Sequence, residues 1–269
     1  MEHIYPKFEK GRILRQEALW ALRDYSYEAL ALRYQNYSDG VISGCELRAE
    51  DSAVVIAPGI LKCGGFIFLK KEPERIPVCP AEKDISLKFR LKGQEQFADF
   101  IRYTTETVLD ETTARGNGEI ELCRFKLKKG SVLRSSYKDF YDIQTEYDTL
   151  NLADSTWSGA GGAALNKYIT DYYAREIMKC PSADAFDLYF AGLCLQSGEA
   201  VCREALEGYI QRKSGGSLEN DRPETADQDA DEFGKRKFRQ LKNILENIKA
   251  GRRIGKDEPE SRRQMIVMD

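Results

Sequence analysis

Residues 39–71 read DGVISGCELRAEDSAVVIAPGILKCGGFIFLKK, and this stretch decides the fold class of the chain. Short apolar runs alternate in it with turn signals, namely a charged segment, Pro58-Gly59 and Gly64-Gly65. Such spacing is typical of short antiparallel strands. The stretch therefore predicts a compact β-meander of four strands, and it contains no nucleophile, phosphate loop or metal-binding cluster.

Three further strands are predicted downstream of this meander. Residues 85–92 alternate apolar and polar side chains, which indicates a strand with one buried face. Residues 100–109 are rich in β-branched and aromatic side chains. Residues 119–128 change the parity of their apolar positions, which a bulge near Leu122-Cys123 or burial on both faces would explain.

Helical spacing of apolar residues flanks this β-region on both sides. The first helical segment, about 12–34, is expected to break at Asp24 to Ser26, because Ser26 is a good N-cap. Residues 161–213 predict three short helices. Ser182 is expected to cap the second of them, and the third is expected to open at residues 197–198.

The C-terminal part combines an acidic linker with a basic amphipathic helix. The linker is rich in Gly, Ser, Asp and Glu and has almost no apolar side chains. Burial of apolar surface therefore cannot offset the entropy that it would lose on ordering. The helix carries an apolar stripe with spacings of three, four and three residues. Its members, our candidate partner-binding residues, are Phe238, Leu241, Leu245 and Ile248.

Three interpretations of that helix are open. It docks on a partner protein, it docks on the chain's own core, or its basic residues bind nucleic acid. If the stripe binds a partner, replacing Leu241 and Leu245 by Asp should leave the stability of the core nearly unchanged.

Together these patterns predict an α+β protein with N-terminal helices, a central antiparallel β-domain, a small helical domain and a tethered C-terminal helix. The predicted segments are an N-terminal helical segment 1–38, a β-domain 39–145, a helical subdomain 146–213, an acidic linker 214–230, and a basic helix and tail 231–269.

Residues with the chemistry for catalysis or metal binding are sparse and scattered. His3 is the only histidine, and the seven cysteines form no CxxC pair. The glycine-rich residues 158–164 lack the spacing of a phosphate loop, so a flexible hinge is the favoured interpretation. The acidic residues most easily imagined as an acid/base pair are expected to be solvated; they are Asp110, Glu111, Asp142, Glu146 and Asp148. We expect no catalytic residue, no cofactor and no metal site.

The composition constrains the partners and the location of the protein. The chain has 269 residues and a net charge of -3, which predicts no general attraction to nucleic acid or to anionic membranes. Its N-terminus lacks the continuous apolar core of a signal peptide, so the expected product is cytosolic, or exported by a route that the sequence does not show.

Four segments carry a resemblance to a known family. They are IYPKFEKGRIL (4–14), YSDGVISGCEL (37–47), VVIAPGILKCGGFIFL (54–69) and ELCRFKLKKG (121–130). With them, residues 1–210 resemble proteins encoded in the tail-assembly regions of prophages and phage-tail-like particles of Gram-positive bacteria. The glycine-punctuated strands are similar to small attachment modules of tail-fibre and baseplate proteins.

This resemblance implies a structural component of a phage tail, baseplate or tail-like particle that has no catalytic residues. It implies partners among other tail or baseplate proteins, or self-association. It also implies a location in the cytoplasm during assembly and in the virion or particle afterwards. The alternative function is a nucleic-acid-associated accessory protein that uses the basic C-terminal helix.

Overall fold

The computed structural model describes residues 4–11, 13–215 and 226–252, and within them the chain is an α+β protein. Its helices are α1 (Gln16–Arg33), α2 (Lys167–Met178), α3 (Ala185–Gln196), α4 (Arg203–Lys213) and α5 (Ala226–Lys249), with a short 3-10 helix at Phe140–Gln144.

The strands of the described residues form three sheets. They are β1 (Gly40–Gly44), β2 (Leu47–Glu50), β3 (Ala53–Ile56), β4 (Gly59–Cys63), β5 (Phe66–Lys70), β6 (Glu74–Pro77), β7 (Ile85–Gln96), β8 (Ile101–Asp110), β9 (Glu119–Phe125), β10 (Trp157–Gly159) and β11 (Gly162–Ala164). The strand orders are β11-β10-β1-β4-β5, β2-β3-β6 and β8-β7-β9. All neighbouring strands are antiparallel except β1 and β10, which are parallel.

The stretch 39–71 forms strands as predicted, but they number five and belong to two sheets. The additional strand is β2, which occupies the segment interpreted above as a charged turn. β1 pairs with β4, so β2 and β3 leave the first sheet as a hairpin and join β6 in the second. A single meander is therefore wrong.

Two glycines allow the chain to leave and re-enter the first sheet at one point. Gly44 has a φ of +67°, and a Cβ there would lie 2.4 Å from the Pro58 carbonyl oxygen. A Cβ on Gly59 would lie 2.5 Å from the Cys45 amide nitrogen. Backbone approaches this close exclude any side chain, which is why glycine stands at both positions.

Replacing Gly59 by Ala should lower the free energy of unfolding by about 1–3 kcal/mol, because the added methyl group meets backbone that must shift. The control is Gly93→Ala, where a Cβ would meet no atom within 4 Å; its effect should stay within about 0.5 kcal/mol. Chemical denaturation of both variants measures the difference. Equal losses in the two variants would contradict the proposed crossing.

The three later strands lie where they are predicted. The pairing of β7 with β9 shifts register between Leu87 and Lys88, so that Leu122 is the extra residue of a bulge. Burial on both faces also occurs, because Glu121 on β9 is as buried as Ile120 and Leu122. On β7, Ser86 and Lys88 are likewise as buried as their apolar neighbours. The prediction of one solvated face is therefore wrong for the first half of β7.

The helix termini differ from the predictions in three places. α1 is continuous, because the Ser26 hydroxyl donates to the Leu22 carbonyl inside the helix instead of capping a new one. Asp184, not Ser182, caps α3, in a reciprocal capping box with Asp187. α4 begins at Arg203, beyond the expected residues 197–198.

One hydrophobic core spans several of the predicted segments. Phe140 lies in the predicted β-domain, yet its ring centroid is 5.5 Å from that of Tyr173 on α2 and 5.0 Å from that of Phe238 on α5. The predicted segment boundaries stay predictions. Residues 216–225 of the acidic linker and the tail 253–269 lie outside the described residues, and α5 begins at Ala226.

Candidate functional site

The C-terminal apolar stripe lies in the chain's own core. Phe238, Leu241, Leu245 and Ile248 are 1%, 0%, 0% and 4% exposed. Phe233 and Ile244 on the same helix are also buried, and the sequence interpretation omitted them. Of the three interpretations of α5, docking on the chain's own core is the one the fold displays. Partner binding by this stripe stays a prediction that requires α5 to leave the core.

Several basic residues of α5 are paired with carboxylates of the same chain. The Lys235 ammonium lies 2.7 Å from Asp154, and the Lys249 ammonium 2.8 Å from Glu176. Lys237 is buried and lies 3.0 Å from Glu207, and burial lowers its pKa. Charges that are already neutralised contribute little to phosphate binding, so these contacts disfavour the nucleic-acid interpretation.

Replacing Leu241 by Ala should reduce the free energy of unfolding by about 2–5 kcal/mol, because a buried leucine leaves a cavity. The matched control is Leu188→Ala on α3, where the side chain is 47% exposed. Denaturant unfolding of both variants is the measurement. This expectation reverses the one stated above for Asp substitutions, and a small loss at Leu241 would show that α5 is not docked.

The candidate acidic residues do not converge, and the expectation that they are solvated is wrong for Asp110 and Asp142, whose side chains are 23% and 12% exposed. Both oxygens of Asp142 accept from the Arg134 guanidinium, at 2.5 and 2.7 Å. This contact, aided by the Lys138 amide, holds the pKa of Asp142 well below its usual range although partial burial opposes the shift. Glu111 pairs with Lys83, Asp148 accepts from the Lys128 amide, and Glu146 lies 3.8 Å from Lys126.

Asp110 belongs to a buried ion cluster that the sequence interpretation missed. The Lys88 ammonium, 1% exposed, lies 3.3 Å from Asp110 and 3.0 Å from Glu119, and it donates to the Ala114 carbonyl at 2.7 Å. Arg90 bonds the same two carboxylates. Four mutually satisfied groups hold β7, β8 and β9 together, which is a structural role.

The glycine-rich residues 158–164 are neither a hinge nor a phosphate loop. They form the β10–β11 hairpin at one edge of the first sheet. The buried Ser158 hydroxyl donates to the Ser38 carbonyl at 2.5 Å. The hinge interpretation is therefore wrong, and the glycines serve a tight turn.

The N-terminal part of the chain carries an uncovered set of large apolar side chains, which we call the N-terminal apolar surface. No residue of α1 is buried. The surface comprises Ile4, Tyr5, Phe8, Ile13, Leu14, Leu19, Trp20, Leu22, Tyr25, Tyr27 and Leu32, which are 46–89% exposed. The sequence interpretation followed a single stripe of α1 and missed the aromatic residues beside it; apolar residues on more than one helix face were the available signal.

The C-terminal end of α1 is firmly anchored to the body of the protein. Glu199, in the α3–α4 connection, accepts hydrogen bonds from Arg33 at 2.9 Å, Tyr34 at 3.1 Å and Tyr37 at 2.7 Å. The Lys62 ammonium donates to the carbonyls of Tyr34 and Tyr37. Burial raises the pKa of Tyr37 to about 12, with Glu199 adding to the shift.

Replacing Glu199 by Gln should loosen this anchor, because an ionised acceptor of three hydrogen bonds is lost. We expect amide hydrogen exchange in residues 30–37 to rise at least about fivefold, which corresponds to roughly 1 kcal/mol. The control is Glu204→Gln, an exposed glutamate nearby on α4. Unchanged exchange in Glu199→Gln would contradict the anchoring role.

The same anchor should respond to pH. Burial opposes ionisation of Glu199, but its three donors lower its pKa below the ordinary value. The anchor is therefore at full strength above the ordinary glutamate pKa of about 4.3, and it is lost as the pH falls through the lowered pKa.

Between α1 and β5 lies an apolar groove of about 470 Å³. Tyr27, Leu30 and Ala31 line it from the helix, and residues 65–69 line it from the strand side. The Tyr27 and Phe66 ring centroids are 6.4 Å apart. One face of α1 is thus turned toward the body, and the opposite face points away from it.

A second exposed apolar feature lies at the tip of the β7–β8 hairpin. β9 pairs with β7 only as far as Arg90, so the hairpin continues beyond it as two strands. At its tip the Phe97 and Phe100 rings are stacked with centroids 4.7 Å apart, and the Arg102 guanidinium lies over both. An aromatic tip of this kind suits contact with another protein.

Comparison with known proteins finds solved structures that resemble this chain only at low similarity. No protein-family model matches it, and no curated protein is similar to it in sequence. TssK in its crystal structure is 10% identical with a TM-score of 0.39, over 91% of this chain and 72% of TssK. A chain of the type VI secretion TssK-TssF-TssG baseplate subcomplex is 9% identical with a TM-score of 0.40, over 93% and 99%. Values this low define no family.

Two further properties concern only the part of the chain that the structure describes. None of its helices is both long and apolar enough to cross a lipid bilayer. No group of three or more His, Cys, Asp or Glu side chains within it is arranged to hold a metal ion.

Proposed function

We propose that this protein is a non-enzymatic structural or assembly component of a phage tail, a baseplate or a phage-tail-like particle, acting through protein contacts. The observation that carries the proposal is the N-terminal apolar surface. Eleven large apolar side chains, each about half exposed or more, stand on one segment of the chain.

The size of this surface is the physical argument for a protein partner. Since a large apolar side chain covers roughly 200 Å², the exposed area is on the order of 1,000 Å². The largest apolar patch of a typical monomer is about 300–600 Å², and each side of a standard interface covers about 800 Å². The total apolar area is thus of the order that an interface buries, although it is shared between opposite faces of α1.

The anchoring of α1 supports the same proposal. Glu199 and Lys62 hold its C-terminal end by hydrogen bonds. Further along the helix, Tyr27 contacts Phe66 of β5. A helix fixed at one end and uncovered along its length presents its side chains in a constant direction. Such preorganisation reduces the entropy lost on binding.

The sequence resemblance supplies the setting of the proposal. Two of its four segments, 4–14 and 54–69, lie in the N-terminal apolar surface and in the strands beside it. The proposed location is the cytoplasm during assembly and the finished particle afterwards. We do not favour the nucleic-acid alternative, because Lys235, Lys237 and Lys249 already pair with carboxylates of the chain.

Deleting the gene in its host and complementing it with variants tests the proposal. The test variant replaces Tyr5, Phe8 and Ile13 by Ser, and the control is Val132→Asp at a loop position that is 71% exposed. Wild type and control should restore complete particles in electron micrographs. The test variant should not, and its affinity for the neighbouring tail protein should fall at least about tenfold.

Normal particles from the deletion strain would refute the proposal. Normal particles from the test variant, with the deletion strain defective, would move the contact to another surface such as the Phe97–Phe100 tip.

A further inference from the structure

The outward face of α1 carries an apolar stripe with heptad spacing. Ala18, Leu22, Tyr25, Ala29 and Leu32 follow each other at intervals of four, three, four and three residues. At 100° per residue they lie roughly opposite the groove-facing Tyr27 and Ala31. Leu22, Tyr25 and Leu32 are 49%, 67% and 66% exposed. This outward stripe is the seam that a parallel or antiparallel helix pair would bury.

Helix propensity alone does not account for α1. It has 18 residues, none of them buried, and most helical stability in proteins comes from packing of an apolar face. The residues of α1 that line the groove with β5 lie on its inward face and in its C-terminal half. Leu22 and Leu32 of the outward stripe therefore remain about half exposed or more, although they are apolar.

The charges beside the outward stripe are complementary to those of a second copy. Glu28 lies on one flank and Arg33, five residues later, on the other. In a parallel pair each flank faces the opposite flank of the neighbour, so Glu28 of each copy faces Arg33 of the other, and two ion pairs form. In an antiparallel pair equal flanks face each other, and neither ion pair can form.

Arg33 can make this contact while keeping its own. It pairs with Glu199 through one terminal nitrogen at 2.9 Å, and its side chain remains 66% exposed. A guanidinium has five N–H donors in a planar fork, so a second carboxylate can bind the other edge.

We propose that α1 associates with α1 of a second copy of this chain in parallel, with Leu22, Tyr25, Ala29 and Leu32 in the seam and Glu28 paired with Arg33 of the neighbour. This rests on the proposed function in that it names the partner of one part of the N-terminal apolar surface, the outward stripe of α1. A foreign helix could cover the stripe as well, but the flanking charges match the chain itself.

The first experiment measures the mass of the full-length protein by size-exclusion chromatography with light scattering. Wild type should have a multiple of the chain mass of 30.6 kDa. The double variant Leu22→Asp, Leu32→Asp should be monomeric, with an unchanged midpoint of chemical denaturation of the hydrophobic core. Val132→Asp, an exposed aliphatic away from α1, should remain associated. A monomeric wild type, or a double variant with wild-type mass, would overturn the proposal.

The second experiment tests the parallel arrangement with a matched pair of cysteine variants. In a parallel pair Ala29 lies opposite Ala29 of the neighbour, so Ala29→Cys should give a disulfide-linked dimer on a non-reducing gel. Ala31→Cys, the same substitution on the groove-facing side, should remain at the background set by the seven native cysteines. Equal cross-linking of both variants, or of neither, would reject the proposed seam.

The two proposals fail separately. If wild type is monomeric yet the Ser variant of Tyr5, Phe8 and Ile13 still loses particle assembly, only the self-association is refuted, and the partner is a different protein. If Ala29→Cys cross-links and the deletion strain assembles normal particles, the proposed function falls and the self-association stands.

Discussion

The approach of two backbone segments at Gly44 and Gly59 is the constraint on which the sheets depend. At this point β1 pairs with β4 although β2 and β3 lie between them in sequence. The chain can leave one sheet and return to it at the same place only if neither position carries a side chain. Because β4 pairs with one side of β1, its other side remains available to β10, which pairs with it in parallel. The hairpin β2–β3 supplies two strands of the second sheet.

The helices close on one core because they share aromatic and aliphatic residues with the 3-10 helix. Phe140, fully buried, contacts rings from α2 and α5. Two buried tyrosine hydroxyls in this interior are satisfied within it: the Tyr209 hydroxyl donates to Asp187 at 2.7 Å and contacts the Tyr173 hydroxyl. Buried polar groups with partners cost little, whereas removal of one partner leaves an expensive orphan. These hydrogen bonds therefore help to fix how α2, α3 and α4 pack against one another.

Local patterns could be predicted from the sequence, and contacts between distant residues could not. The alternation of residues 85–92 correctly predicted β7, and the bulge at Leu122 was one of the two explanations that the parity change left open. The burial of Lys88 had no local signal, because its partners Asp110 and Glu119 come from two other strands. The five strands of residues 39–71 were predicted as four in one sheet, since turn residues mark where a strand ends and not which strand it pairs with.

The candidate site shows the same limit. The stripe of Phe238 and Leu241 was correctly predicted as helical and apolar, but one amphipathic pattern serves the chain's own core and a partner's surface equally. Only the fold distinguishes them, and it assigns α5 to the core. α1 presents the reverse case: its apolar residues recur at helical spacing in the sequence, and the fold leaves none of its residues buried.

α1 and α5 differ in how far the rest of the chain covers their apolar side chains. α5 buries one apolar face and pairs its flanking lysines with the chain's own carboxylates. On α1, Tyr27 lines the groove with β5, whereas Tyr25 on the opposite face is 67% exposed. The helix is therefore apolar on two opposite sides. A helix that is apolar on two sides is typical of a position between two layers. The body of the protein supplies one of these layers, and the charges of Glu28 and Arg33 fit a second copy as the other.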